Sequence, residues 1–337
     1  MKKLLLTILA MATLVGCSKD ETLDVQTRSA ITFEDAFVDN AVNSKAAQDG
    51  SYQGVTFNSF DVYGTITNKD GETANIFNKE KVTKGEDNKW TYDAANTQYW
   101  IPGNTYSFRA LVDGNVQGAT KVKTDEDGMP QTISVDASKQ KDVLFAEQMS
   151  VSYSAADGDK TISFTFSHLM AKAKFTVKNT ITTNNDYTYK VKNIKVNVLQ
   201  KAIYNIADKS WTKAGENYTL NFGNIGLPQA TDFYTGEQDA TDIKYGNTGD
   251  ESAYARLLIP TIKGENGTKV VATFDVELYK SGVLIDEQEK EVAAEVKLEG
   301  GRAYNFLIQL GNPGAPIKFS AHKVNSWDDS GKDNELK

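Results

Sequence analysis

Residues 163–177 read SFTFSHLMAKAKFTV, and the phase of their apolar side chains changes within the stretch. Up to Ser167 the apolar residues are even-numbered: Ile162, Phe164 and Phe166. After His168 they are odd-numbered: Leu169, Ala171, Ala173, Phe175 and Val177. Successive residues of a strand face opposite sides of a sheet. In one unbroken strand, the apolar side chains before and after this point would therefore face opposite sides and could not all be buried in one core. We therefore expect a break that separates two domains, residues 29–167 and 168–337. A β-bulge inside a single domain is the alternative.

The same alternation recurs along the chain and indicates antiparallel strands. Clear examples are Tyr106–Val112, Val270–Leu278 and Tyr304–Leu310. Asp-Gly pairs, which favour turns, occur at 49–50, 70–71, 113–114, 127–128 and 157–158. A short helix over residues 34–47 is the main exception that we expect. Many short strands without intervening helices predict an all-β protein built from two antiparallel β-sandwich domains in tandem.

The first residues have the features of a bacterial lipoprotein signal peptide. Two lysines precede the apolar run Leu4–Val15, which is shorter than the roughly 20 residues that a membrane-spanning helix needs. Gly16 then precedes Cys17, the only cysteine in the 337 residues. This Leu-Val-Gly-Cys ending resembles the lipobox, in which the cysteine is acylated and the signal peptide, here residues 1–16, is removed. We expect Cys17 to be a lipid anchor. An ordinary signal peptide that contains a cysteine is the alternative.

Charge limits the partners of the mature chain. Without the two lysines of residues 1–16, 35 basic side chains face 45 acidic ones, a net charge of −10. Such a surface repels phosphate backbones, so we expect no nucleic-acid partner. Acidic residues also follow the anchor closely, at Asp20, Glu21 and Asp24. This tether resembles the signal that displays Bacteroidota lipoproteins on the outer face of the outer membrane; taken alone, it is a solvated linker.

The sequence contains few candidates for catalytic or metal-binding residues. His168 and His322 lie far apart, and no zinc, nucleophile-elbow or phosphate-loop motif occurs. The run Asp125–Gly128 begins like a calcium loop but lacks the glutamate at the twelfth position, which favours an ordinary turn. A glycosidase carboxylate pair is defined by distance in space, and the sequence leaves it open. We expect no catalytic residue, no metal site, no cofactor and no enzymatic activity.

The four tryptophans have two interpretations. They could form an exposed platform for sugars, although in a β-sandwich a tryptophan more often belongs to the core. The residues concerned are Trp90, Trp100, Trp211 and Trp327.

Several segments together resemble one family. They are QYWIPGNTYSFRAL at 98–111, DVLFAEQ at 142–148, SFTFSHLMAKAKFTV at 163–177, RLLIP at 256–260, LEGGRAYNFLIQL at 298–310 and IKFSAHKVNSW at 317–327. In this order, and with the lipobox, they are similar to the fimbrillins, the type V pilins of Bacteroidota. The resemblance implies two transthyretin-like β-sandwich domains, export as a lipoprotein, assembly into an adhesive surface fibre, and a structural role for His168.

The resemblance also implies proteolytic processing. Polymerising members are cut after an arginine near the N-terminus by an arginine-specific protease, which removes the lipid and the first strand. Arg28 is the only arginine before Arg109, and cleavage there would leave Ser29 as the first residue. Residues 17–28 would then be a lipidated tether and removable strand, in which Leu23, Val25 and Thr27 alternate. Its loss would open a groove in the first sandwich. The alternative is that Arg28 is a surface residue with no role in processing.

We expect the C-terminal segment 316–328 of a neighbouring subunit to fill that groove. A Gly- and Pro-containing break, Gly311–Pro316, precedes it, and its apolar residues are Ile317, Phe319, Ala321, Val324 and Trp327. Strand addition of this kind gains affinity from main-chain bonds and alternate side chains. The alternative keeps 317–327 as the last strand of its own sandwich.

The sequence therefore predicts a non-enzymatic pilus subunit. Its expected partners are other pilin subunits, the outer membrane through the lipid anchor, and a receptor on a host or bacterial surface. After processing, it would lie in the fimbria. A surface lipoprotein that binds glycans through exposed aromatic side chains is the alternative from a different functional class.

Overall fold

The predicted all-β class is confirmed. The computed structural model describes residues 28–38, 51–52, 55–112, 118–179, 186–223 and 256–324. Besides strands, these ranges contain three short 3₁₀ turns, at Ala94–Asn96, Ala137–Lys139 and Ala155–Asp157. None of the described helical segments has the length and apolar character needed to cross a bilayer.

Seven strands of the first half close into a barrel. They are β1 (Thr32–Val38), β4 (Ser59–Thr67), β5 (Thr73–Lys84), β6 (Trp90–Thr91), β7 (Thr105–Val112), β10 (Leu144–Ser152) and β11 (Thr161–His168). Around the ring the order is β1, β11, β10, β7, β4, β5, β6, and β6 returns to β1. Two further strands, β2 (Ser51–Tyr52) and β3 (Val55–Thr56), pair with each other. Aromatic side chains dominate the barrel core, with Phe33 in contact with Phe60, Phe108 and Phe164.

Two four-stranded sheets form most of the second half. One contains β17 (Arg256–Leu258), β12 (Ala171–Asn179), β20 (Ala303–Leu310) and β21 (Lys318–Val324), in that order. The other contains β16 (Asn217–Gly223), β13 (Tyr187–Leu199), β18 (Thr268–Lys280) and β19 (Val283–Val296), in that order. Alternating residues of both sheets meet in one apolar core, as the sequence predicted for β18 and β20.

A third four-stranded sheet joins the two halves. Its order is β15 (Ser210–Lys213), β14 (Lys201–Asn205), β9 (Pro130–Asp136) and β8 (Thr120–Thr124). Strands β8 and β9 precede His168 in the chain, whereas β14 and β15 follow it. The pairing of β9 with β14 runs from Lys201 opposite Asp136 to Asn205 opposite Thr132. The sheet covers a third core, which includes Ile133, Val135, Phe145, Leu169, Met170, Ala202, Tyr204, Trp211 and Ile259. We call this sheet and its core the junction.

The phase change in 163–177 corresponds to a change of sheet. Strand β11 ends at His168 with its even-numbered phenylalanines in the barrel core, and β12 begins at Ala171 with Phe175 in the core of the second half. Leu169 and Met170 lie between these strands and pack into the junction. The division into domains at 167/168, and the transthyretin-like character of each, stay predictions, because the junction is built from both sides of this point.

The short helix expected over 34–47 is wrong for the part that the structure describes. Residues up to Val38 belong to β1, which pairs in parallel with β11 and places Phe33 and Ala36 in the barrel core. Tertiary pairing and burial therefore override the local preference. Residues 39–47 lie outside the described ranges.

Two of the expected Asp-Gly turns are tight turns with glycine in the left-handed region. The φ angles are +84° at Gly71 and +83° at Gly128. In the second turn, the Asp125 carboxylate accepts hydrogen bonds from the backbone N–H groups of Asp127 and Met129. Asp125 therefore closes an ordinary turn. The 157–158 pair ends a 3₁₀ turn, and the pairs at 49–50 and 113–114 lie outside the described residues.

We predict that Gly300→Ala destabilises the protein by about 1–3 kcal/mol, because the junction leaves no room for a side chain there. A methyl group on Gly300 would lie 2.7 Å from the carbonyl oxygen of Leu169 and 3.3 Å from that of His168. Chemical denaturation of both proteins measures the effect.

Gly267→Ala is the matched control. Its methyl group would meet Cγ of the exposed Glu295 side chain at 2.9 Å, and that side chain can move aside. We expect a change of about 0.5 kcal/mol or less. Equal losses in the two variants would contradict the packing argument.

Candidate assembly sites

The predicted cleavage site lies where the barrel begins. Arg28 is exposed, and from the next residue onward the chain is held in place. The carbonyl oxygen of Ser29 accepts a hydrogen bond from the N–H of Trp100 (2.9 Å), and the Ser29 hydroxyl donates to Asp159 (3.1 Å). Ala30 forms a β-bridge with Tyr99. The first residue of the proposed product is therefore also the first anchored residue in the described part of the chain.

Ile31 completes this anchor. Its side chain is fully buried, and its N–H donates to the carbonyl oxygen of Gln98 at 2.8 Å. The Tyr92 hydroxyl donates to the carbonyl oxygen of Ile31 at 2.8 Å. Burial raises the pKa of Tyr92, which keeps the phenol protonated and able to donate. Strand β1 follows directly and closes the described barrel by pairing with β6 and β11.

The barrel wall is weakly paired at a seam between β10 and β11, as it also is on both sides of the two-residue strand β6. These strands pair at two positions near the junction, Leu144 with His168 and Phe145 with Ser167. Beyond them, β10 continues along β7 as far as Ser152, and β11 continues along β1. The Gln148 side chain bridges the seam by donating to the carbonyl oxygen of Ser163 at 3.0 Å. Main-chain edges of β10 and β11 that do not pair with each other therefore face one another over 146–152 and 161–166.

The predicted donor segment lies in its own sheet. Strand β21 pairs antiparallel with β20, from Gln309 opposite Lys318 to Ala303 opposite Val324. It is an edge strand, and its inward residues Ile317, Phe319 and Ala321 are half-buried against the core. The Phe319 ring lies 5.9 Å from Phe306 and 6.1 Å from Phe175. In a single chain the segment thus has the arrangement of the intramolecular alternative, and donation would require β21 to exchange.

The other predicted sites fall into two groups. Cys17, the alternating residues before Arg28, and Trp327 lie outside the described residues. Trp90, Trp100 and Trp211 are buried in the barrel and junction cores, so they form no exposed platform. Among the residues that the structure describes, no group of three His, Cys, Asp or Glu side chains could hold a metal ion.

His168 lies at the predicted break and is buried. Its Nδ1 lies 2.5 Å from Oδ2 of Asp142, and its backbone carbonyl oxygen faces Gly301. It thus contributes to the packing of the junction. His322, the other histidine, belongs to β21.

The sequence interpretation missed a cluster of exposed apolar residues at the β18–β19 turn. Val283, Leu284 and Ile285 follow the Ser281–Gly282 turn and are all exposed. The register slips between Leu278 and Tyr279, opposite this point. Three consecutive apolar residues break a period of two, which is the signal that could have revealed them.

A sequence profile of the fimbrillin-like family matches residues 45–327. Two solved structures share the fold. A fimbrial protein from Bacteroides vulgatus aligns over 89% of this chain and 99% of its own, with 15% identity and a TM-score of 0.64. A proposed cell adhesion protein from Bacteroides ovatus aligns over 90% and 99%, with 15% identity and a TM-score of 0.52. A comparison with curated protein sequences gives no match.

We predict that Tyr92→Phe makes the bond after Arg28 easier to cleave. A protease binds several residues on both sides of its target bond in an extended form, and residues 29–31 are held by the barrel. Removing one half-buried hydrogen bond of about 0.5–1.5 kcal/mol should raise the cleavage rate roughly 2–10-fold. Timed digestion with an arginine-specific protease, followed by mass spectrometry, gives the rate.

Tyr153→Phe is the control for this experiment. Its hydroxyl donates to the carbonyl oxygen of Gly158, near the same end of the barrel but not on residues 29–31. An equal acceleration in both variants would indicate general loosening of the barrel. An unchanged rate in Tyr92→Phe would show that opening of residues 29–31 does not limit cleavage.

Proposed function

The chain belongs to the fimbrillin-like family, and we propose that it is a non-enzymatic structural subunit of a cell-surface fimbria that contributes to adhesion. The observation that carries this proposal is the family match over residues 45–327. The fold shared with the fimbrial protein of Bacteroides vulgatus supports it. The glycan-binding alternative has less support, because the three described tryptophans are buried.

Export as a lipoprotein is the first step of the proposed function. Cys17 would carry the acyl chains, and each buried CH₂ of such a chain contributes about 0.8 kcal/mol to membrane binding. The acidic tether after Cys17 would direct the protein to the outer face of the outer membrane. Partners at this stage are the membrane and other pilin subunits.

Cleavage after Arg28 would then release the subunit from its lipid. The anchored Ser29 supports this position, because the product loses the tether and retains the whole described barrel. The freed subunit would enter the fimbria.

Strand exchange would join successive subunits. The seven residues of β21 match the length of the seam between β10 and β11, which is about six to seven residues on each side. A strand in this seam would supply main-chain partners to both edges. As an edge strand with half-buried side chains, β21 costs less to release than a central strand would.

Two substitutions separate anchoring from processing. We expect Cys17→Ala to abolish membrane attachment, because no acyl chain forms. We expect Arg28→Ala to remain attached to the membrane as an uncleaved monomer. Detergent-phase partitioning and N-terminal sequencing of surface protein measure both outcomes.

Arg256→Ala, on β17, is the control for loss of an arginine. If Arg28→Ala polymerises like the wild-type protein, Arg28 has no processing role. If Cys17→Ala partitions into detergent like the wild type, Cys17 is not the anchor.

Truncation before Pro316 tests the donor segment. We expect a folded, cleavable and less stable monomer, since the edge strand contributes three half-buried apolar side chains at up to about 1.5–3 kcal/mol each. Polymer should be lost, and a synthetic peptide of residues 316–328 should bind to the processed wild-type subunit. Size-exclusion chromatography and calorimetry measure these effects.

A peptide with Ile317→Asp and Phe319→Asp is the matched control. A truncated protein that unfolds would favour the intramolecular role of β21. One that still polymerises would exclude the segment as donor.

A further inference from the structure

The large apolar side chains exposed on the described surface concentrate at two places. They are Tyr99 (43% exposed), Ile101 (52%), Met149 (47%), Val283 (65%), Leu284 (45%) and Ile285 (50%). Met149 lies on β10 beside the seam, whereas the other five form two sets. We call Tyr99 and Ile101 the barrel-end patch, and Val283, Leu284 and Ile285 the hairpin-tip patch.

The barrel-end patch lies at the end of the first half that is remote from the junction. Strand β11 enters the junction at His168 and starts at Thr161, about 24 Å away over seven extended steps. Around this start, the Trp100 indole donates to the carbonyl oxygen of Lys160, and Ser29 donates to Asp159. Tyr99 and Ile101 flank Trp100. The chain therefore enters the barrel, at Ser29, beside this patch.

The hairpin-tip patch lies at the remote end of the second half. Strand β18 starts at Thr268, whose hydroxyl lies 2.9 Å from that of Thr261 beside the junction, and it reaches Lys280, about 41 Å away over twelve extended steps. The turn that follows is held to β13, because the N–H of Ser281 donates to the carbonyl oxygen of Asp186. Strand β19 then begins with the three exposed apolar residues.

We propose that the two patches are the two faces of one contact between copies of this chain, in which the hairpin tip of one subunit packs against the barrel end of the next. This contact acts together with strand exchange at each subunit interface, so that a stable fibre needs both, and it rests on the proposed function. The contact is heterologous: two different surfaces meet, so addition repeats without closing.

The position of the tether identifies the occupant as a second copy. The twelve residues 17–28 precede the anchored Ser29 directly, and a chain of this length reaches at most about 40 Å. Before cleavage the proposed lipid anchor therefore keeps the barrel end within about 40 Å of the membrane, which obstructs the approach of another subunit. Cleavage after Arg28 frees this end and leaves the hairpin tip unchanged. Processing thus creates one of the two faces while the other is already present.

Two double variants test this contact. The tip variant carries Leu284→Glu and Ile285→Glu, and the barrel-end variant carries Tyr99→Glu and Ile101→Glu. Each is expressed as the full chain, processed with an arginine-specific protease and examined by analytical ultracentrifugation. Losing buried apolar contacts should weaken self-association of either variant tenfold or more, so each alone should remain mostly monomeric.

Mixing the two processed variants is the decisive step. Each variant retains one intact patch. The mixture can therefore form one contact between two subunits, in which the tip of the barrel-end variant packs against the barrel end of the tip variant. We expect dimers in the mixture and none in either variant alone. Thr124→Glu with Thr212→Glu, at exposed positions of the junction sheet, adds the same charge and should polymerise like the wild type.

The outcomes separate this proposal from the function on which it rests. If the processed wild-type protein stays monomeric, both are wrong. If it polymerises and the folded variants polymerise equally well, the contact is wrong and the fimbrial function stands. If the variants are monomeric but their mixture forms no dimer, the two patches do not contact each other. Circular dichroism confirms folding in each case.

Discussion

The pairing of β9 with β14 is the interaction on which the rest of the molecule depends. It joins a strand from the first half of the chain to one from the second, in a ladder of five residue pairs. The apolar core beneath it takes residues from both halves, among them Phe145, Met170 and Trp211. Backbone hydrogen bonds and apolar burial therefore fix the register of one half relative to the other, which a flexible linker could not do.

With the centre fixed in this way, the main strands of both halves run outward from it. Strand β11 leads away from the junction toward Thr161, and β18 leads away from it toward Lys280. The features with a proposed role in assembly lie at these remote ends: the anchored Ser29 beside Tyr99, and the tip at Val283–Ile285. A fibre subunit needs contacts at both ends and rigidity between them, and the junction supplies that rigidity.

The edge strands of the sheets differ in their side chains and in their pairing, and this difference bears on the proposed assembly. Strand β19 is an edge whose exposed residues beyond the hairpin-tip patch are mostly acidic, namely Asp286, Glu287, Glu289, Glu291 and Glu295, and such an edge resists unplanned pairing. Strand β21 is an edge that keeps apolar side chains half-buried against the core. The seam between β10 and β11 leaves main-chain edges facing each other inside the barrel wall. The strand proposed to leave and the seam proposed to receive it are thus distinct from the protected edge.

The sequence by itself determined the strands and the point at which the chain changes sheets. Alternation with a period of two depends on local backbone geometry and on one buried face, and both can be read from neighbouring residues. Phe164 and Phe175 therefore indicated two different cores, and Asp125 indicated a turn. The tertiary structure alone decided which strands meet. It placed β1 as a strand where residues 34–38 suggested a helix, paired β9 with β14 across the predicted boundary, and put β21 in its own sheet. It also separated the exposed apolar residues into two remote ends. These outcomes depend on contacts between residues that are far apart in the chain. The energies of such contacts come from burial and strand pairing, which cannot be read from any one segment of the sequence.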